Sequence, residues 1–253
     1  MRRRNFLLGA MASLILPEER GLNLHLFPEY SPKKYSREYS FNGGINAQPW
    51  IVRDVEGRLV FRKSKDNYFA IVDINSSVAE KEFHYSILSH GNVSKDHLIP
   101  SSTTTRQKID LWVPGADRND KTILDYTYDG KNTHIDIETS FYEDGKFTHS
   151  NKKSRDHIGI RGLDYASAIF QMILSEREGF RLDRIDIISK MGKADRYLLE
   201  CEIKNEERTL SLMHEKKDLS AEIRIRLTKN LELSSLSFNP SGFSPIELAV
   251  KRI

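Results

Sequence analysis

The sequence predicts a mainly β protein, with an antiparallel curved sheet that forms an open barrel or half-barrel and one short amphipathic helix near residues 164–175. Alternation of apolar and polar residues, the period of a half-buried strand, dominates the chain. Two Asp-Gly pairs stand between alternating runs, and Asp-Gly favours the tight turn of a β-hairpin. Strands that recur at short spacing with polar loops between them are typical of curled antiparallel sheets.

The N-terminus has the layout of an export signal. Arg2, Arg3 and Arg4 precede a mostly apolar run that stops at Pro17, and this run is shorter than the roughly 20 residues that span a bilayer. A buried N-terminal segment of a cytosolic protein can have a similar composition, but the basic flank favours export. The residues that match the twin-arginine pattern are Arg3, Arg4, Phe6 and Leu7.

This signal sets the expected domain boundaries and location. We expect an export signal or N-terminal anchor at residues 1–17 and a single β-rich domain at residues 18–253. Whether the signal is cleaved is left open, because the only small-x-small site lies inside the apolar run. We expect the protein to be periplasmic or envelope-associated, with the export machinery as its first partner.

Net charge excludes nucleic acid as an expected partner. The chain has 39 basic and 36 acidic residues, a formal charge of +3, and Arg2, Arg3 and Arg4 account for this excess (39 − 3 = 36). Nucleic-acid binding depends on a surplus of clustered Lys and Arg that displaces counterions from phosphates. The remaining basic residues alternate with acidic ones, which is typical of a solvated face.

Alternation predicts strands along most of the chain. In the first half the predicted strands cover residues 69–74, 83–88, 108–113, 124–128, 133–142 and 147 onward. In the second half they cover residues 196–203, 209–213, 221–227, 231–238 and 246–253. Hairpin turns are expected at Asp129-Gly130 and Asp144-Gly145, and the Ser- and Thr-rich residues 101–105 are interpreted as a surface loop.

One segment follows the helical period instead. Its apolar residues Tyr165, Ile169 and Met172 are spaced three and four apart. Asp164 is a suitable N-cap, since its carboxylate can accept from the free N–H groups of the first turn, and Gly179 is placed to end the helix. We expect this helix to cover one side of the sheet.

The single cysteine excludes an intramolecular disulfide. Alternation places Cys201 on the same strand face as Leu199 and Ile203, which favours a small core residue. The acidic neighbours of Cys201 argue against a nucleophilic thiolate, which needs an electropositive setting.

Residues 161–168, Arg-Gly-Leu-Asp-Tyr-Ala-Ser-Ala, open the helix after an alternating half and before further hairpins. This pattern resembles an exported bacterial domain-of-unknown-function family (number thirty-one hundred and eight). The resemblance implies an envelope protein with a curved antiparallel sheet and brings no catalytic residues. The lipoprotein-carrier proteins of the periplasm, which hold acyl chains in a half-barrel, are similar in broad layout.

Two groups of residues are candidates for a site. His134, Asp136 and Glu138 share one face of a predicted strand and could ligate a divalent metal. In the alternative interpretation Ile135 and Ile137 face the core, and the three polar residues simply face water. Aromatic residues are concentrated in the first two thirds of the chain, where they either fill the core or line a surface for an apolar ligand. Tyr126 and Tyr128 are the candidate ligand-surface residues, and replacing either one would distinguish a ligand surface from ordinary core.

The sequence therefore favours an exported cell-envelope protein of binding or accessory type, with an apolar or amphipathic ligand and a lipid or an envelope protein as the partner. The alternative is a periplasmic hydrolase or metal-dependent enzyme. No phosphate loop or dinucleotide glycine pattern occurs in the sequence, and no cofactor is predicted.

The export signal gives the first testable prediction. Replacing Arg3 and Arg4 together by Lys preserves charge but removes the arginine pair, so we expect the folded protein to stay in the cytoplasm. Cell fractionation measures the outcome, and Arg2→Lys, outside the pair, is the matched control. Unchanged envelope localisation of the double variant would show that the signal is read by charge alone.

Overall fold

A computed structural model of the protein describes residues 35–47, 50–78, 81–95, 97–109, 118–129, 131–215, 221–238 and 246–252. The predicted export signal therefore lies outside the described residues, as do Gly130 of one predicted turn and most of the predicted strand at 108–113.

Fourteen strands and one helix make up this part of the chain. They are β1 (Tyr35–Ala47), β2 (Trp50–Lys63), β3 (Asn67–Val78), β4 (Lys81–Ser94), β5 (His97–Ile109), β6 (Arg118–Asp129), β7 (Asn132–Glu143), β8 (Lys146–His157), α1 (Tyr165–Glu178), β9 (Arg184–Ile188), β10 (Ala194–Lys204), β11 (Glu207–His214), β12 (Ala221–Leu227), β13 (Leu233–Phe238) and β14 (Ile246–Arg252).

All fourteen strands form a single antiparallel sheet, which confirms the predicted fold class. The order is β8-β7-β6-β5-β4-β3-β2-β1-β14-β13-β12-β11-β10-β9, so all paired strands are neighbours in sequence except β1 and β14. The end strands β8 and β9 do not pair with each other, and the sheet is not closed into a barrel. Asp144 and Gly145 adopt φ values of 49° and 75°, the left-handed conformation that the predicted hairpin turn requires.

The helix begins and ends where its cap residues predict. The side chain of Asp164 accepts from the first-turn N–H groups, and Gly179 ends the helix with φ of 72°. The helix is buried on all its faces rather than on one, because eleven consecutive residues, Tyr165 to Ser175, are buried. The helix is therefore enclosed by the curved sheet over most of its length. It is too short, and not apolar enough, to span a membrane.

The main core lies between α1 and the inner face of the sheet, which we define as the face that carries Phe61, Tyr68 and Ile225. Phe170 of the helix stacks on Phe61, with ring centroids 5.0 Å apart, and lies 6.4 Å from the ring of Tyr68. Ile225 is fully buried while its neighbour Arg224 is exposed, as expected for alternate faces of a strand.

The sheet curls so far that its two ends overlap. Ile185 and Ile187 of β9 pack in the main core with the helix, whereas Ile188 packs against Leu124 and Ile137 on the inner face of β6 and β7. The strand β9 therefore lies between α1 and the other end of the sheet.

Two sequence interpretations are wrong. Residues 101–105 are not a surface loop but part of β5, and Thr103 and Thr105 are buried on its inner face. Threonine has two heavy substituents on Cβ, which favours strands, and the buried hydroxyl of Thr103 is hydrogen-bonded. Cys201 is not a core residue but exposed, because the β10–β11 hairpin extends beyond the core while its apolar alternation continues.

Candidate functional site

The carboxylate of Asp164 is buried inside the fold and accepts five hydrogen bonds. Its Oδ1 accepts from the backbone N–H groups of Ala166 at 2.9 Å and Ser167 at 3.1 Å, which caps the helix. Its Oδ2 accepts from the hydroxyls of Ser89 at 2.6 Å, Ser167 at 2.7 Å and Thr103 at 3.0 Å. One carboxylate therefore joins α1 to β4 and β5.

Tyr68 extends this network to β3. Its hydroxyl lies 2.8 Å from Ser167 Oγ and 3.1 Å from Ser89 Oγ. Burial, with a further contribution from the charge of Asp164, holds the pKa of Tyr68 well above its usual value, so this hydroxyl stays protonated. Ser89 is fully buried and its proton is directed at Asp164, so the network serves as an anchor rather than as an activated nucleophile.

Ion pairs hold the other end of the helix. Lys63 at the end of β2 contacts both carboxylate oxygens of Glu178, at 2.5 and 2.6 Å. Arg177 contacts Glu232 at 3.3 Å and lies over the ring of Tyr35, 5.1 Å from its centroid. Burial would raise the pKa of Glu232, but the Tyr39 hydroxyl and the nearby guanidinium groups outweigh it and lower that pKa.

A second, smaller apolar cluster lies on the inner face of β6 and β7. Its buried members are Leu124, Tyr126, Ile135, Ile137 and Ile188, with Tyr128 and Ala194 packed against them. The rings of Tyr126 and Tyr128 lie parallel, with an interplanar angle of 6° and centroids 6.4 Å apart. Burial and the charge of Asp164 raise the pKa of both hydroxyls.

The turn between β9 and β10 covers this second cluster. Lys190 of the turn reaches the opposite end of the sheet, where its Nζ contacts the carboxylate oxygens of Asp120 at 3.1 and 3.2 Å and donates to Gln107. The side chains of Lys190 and Asp120 are only 10% and 8% exposed. Gly192 has φ of 72° and lies against Ile137, and its carbonyl is 2.9 Å from Nε2 of His157.

The predicted metal ligands lie on the outer face of the sheet. Nδ1 of His134 is 2.6 Å from Asp156 of β8, and its Nε2 is 3.4 Å from Asp136. The hydrogen bond with Asp156 raises the pKa of His134, which favours the imidazolium over the neutral form that binds metals. Glu138 pairs with Lys152 at 3.2 Å instead. Within the part of the chain that the structure describes, no three His, Cys, Asp or Glu side chains are grouped as metal ligands.

The sequence predicted one part of this arrangement. Asp164 was expected as a helix cap, but its hydroxyl donors Ser89 and Thr103 are 75 and 61 residues away in the chain and carry no local signal. The contact between Lys190 and Asp120 spans 70 residues and was not expected. Tyr126 and Tyr128 do share a face, with Tyr126 buried and Tyr128 half-buried.

No known protein family matches this chain. Neither a curated protein nor a solved structure is detectably similar to it. The resemblance that residues 161–168 suggest therefore remains a prediction.

The anchor at Asp164 gives the second testable prediction. Asp164→Asn keeps one cap acceptor but directs an amide N–H₂ at three hydroxyl donors, so we expect unfolding free energy to fall by roughly 3 kcal/mol in urea denaturation. Asp183→Asn is the matched control, because Asp183 is exposed and pairs only with exposed Arg181. Equal effects of the two substitutions would show that Asp164 does not anchor the helix.

Proposed function

We propose that this chain is an exported binding or accessory protein of the cell envelope, and that it holds an apolar or amphipathic ligand at the second cluster. The observation that supports this is the difference between the two clusters. The main core is filled by α1, whose side chains interlock with strands from both halves of the sheet. The second cluster includes Ile188 of β9 and is covered by Ala194 and the β9–β10 turn.

The cover of the second cluster is easier to displace than the helix. The turn is held by the buried contact of Lys190 with Asp120, by the fit of Gly192 against Ile137 and by the contact of His157 with the Gly192 carbonyl. Moving the turn away would uncover a continuous apolar surface that includes the parallel rings of Tyr126 and Tyr128. Apolar surfaces larger than a few hundred Å² are characteristic of binding sites in soluble proteins.

The chemistry of this surface indicates the class of ligand. Leu124, Ile135 and Ile137 offer aliphatic contacts, and the two tyrosines add flat aromatic surface with hydroxyls at their ends. Such a lining suits an acyl chain or another amphipathic molecule, with a polar group near the turn. A lipid is therefore the proposed ligand, and an envelope protein that delivers or receives it is the proposed partner.

Loosening the turn tests this proposal. Lys190→Met leaves Asp120 buried without its cation, so the turn should open more often and a fluorescent fatty acid should bind about tenfold more tightly than to the unmodified protein. Lys193→Met, in the same turn but exposed and paired with Asp195, is the matched control. Tyr126→Ser should then remove the binding.

Three results would contradict the proposal. The first is the absence of fatty-acid binding by every variant, with cooperative unfolding retained. The second is equal binding by Lys190→Met and Lys193→Met. The third is a stoichiometric metal in protein purified from its native compartment and lost on His134→Ala, which would favour the alternative of a periplasmic hydrolase or metal-dependent enzyme.

A further inference from the structure

The two edges of the sheet differ in how they are covered. The edge of β9 is occupied by the segment before the helix, where Leu163 donates to Asp186 O at 2.8 Å and accepts from Ile188 N at 2.7 Å. At the other edge, β8 pairs with β7 on one side, and no strand within the described ranges pairs with its other side. Eleven of the twelve residues of β8 are exposed.

An open edge of this length is a template for another strand. Every second residue of an edge strand directs its backbone N–H and C=O groups away from the sheet, and an extended peptide can pair with them. Main-chain hydrogen bonds then provide affinity, and side chains on the two faces provide selectivity. The length of β8, twelve residues, is sufficient for such an added strand.

Charge identifies the kind of strand that fits. Four basic residues and one acidic residue give β8 a formal charge of +3 (4 − 1 = 3). Lys146, Lys153 and Arg155 form no ion pair among the residues that the structure describes. Lys153 and Arg155 lie opposite Ile137 and Ile135 of β7, so they share the inner face of the strand.

We propose that β8 binds an acidic, extended peptide segment of a partner protein by adding it as a fifteenth strand. This interaction surface is the free edge of β8 and does not depend on the proposed ligand, although Arg155 also lies beside Gly192 in the turn that covers the second cluster. A second copy of the chain is a poorer occupant, because self-pairing would bring two strands of charge +3 together. A partner with Glu or Asp at alternate positions would place carboxylates beside Lys153 and Arg155.

The basic residues also have a simpler explanation. Lysine on an edge strand discourages pairing between copies and protects a protein from aggregation. That explanation predicts no affinity for an acidic strand, so a binding measurement separates it from the proposal.

The test uses the full chain and a labelled peptide of six Glu-Thr repeats, with fluorescence anisotropy as the readout. We expect binding, accompanied by slower hydrogen exchange of the β8 amides. Two further peptides carry N-methyl groups on every Glu or on every Thr, which blocks one backbone edge and leaves the charge unchanged. Strand addition requires one free edge, so one of the two should lose binding. A Lys-Thr peptide should not bind.

Paired protein variants test the role of charge. The double substitution Lys153→Glu and Arg155→Glu should weaken binding of the Glu-Thr peptide by at least about tenfold. The matched control, Lys204→Glu with Lys229→Glu, makes the same charge change at exposed positions away from β8 and should leave affinity unchanged.

Each remaining outcome overturns the proposal. Lack of binding would make the basic residues edge protection only. Equal binding of both N-methylated peptides would show a charge contact without strand addition. An equal loss of peptide affinity in both double variants would show that binding depends on the net charge of the protein rather than on β8. Binding of DNA or anionic vesicles without binding of the peptide would assign the strand to a different class of partner.

Discussion

The fold depends on how one buried carboxylate is satisfied. Taking a charged group out of water costs several kcal/mol unless hydrogen bonds compensate for it. Asp164 receives five, from two backbone amides and three hydroxyls, and these donors belong to α1, β4 and β5. All five hydrogen bonds form only when the helix lies against the inner face of the sheet. This requirement fixes both the start of the helix and its position.

The position of the helix determines the rest of the architecture. The helix α1 fills the main core, β9 passes between it and the inner face of β6 and β7, and the two ends of the sheet overlap. This overlap creates the second cluster and places Lys190 beside Asp120. The proposed ligand site is thus a product of the overlap, whereas the open edge at β8 exists because the sheet ends overlap without pairing.

Local chemistry could be predicted from the sequence, and distant contacts could not. Asp164 and Gly179 mark the helix ends through cap preferences, and Asp144-Gly145 marks a hairpin through its φ values, because each signal lies within a few residues. The sequence predicts a loop at residues 101–105 because a Thr-rich run lacks apolar alternation. These residues nevertheless belong to a strand on which Thr103 and Thr105 are buried. Cys201 was misread because alternation continues past the end of the core. The overlap of the sheet ends leaves no periodic signal at all.

The architecture depends most directly on the tie that Asp164 makes between the first turn of α1 and the sheet. Hydrogen exchange followed by mass spectrometry or NMR measures it at the amides of Ala166 and Ser167, which donate to that carboxylate. If Asp164 makes this tie, these amides exchange only on global unfolding, as slowly as the central amides of β3 and β4, although first-turn amides usually fray. Rapid exchange of both amides while β3 and β4 remain protected would contradict it.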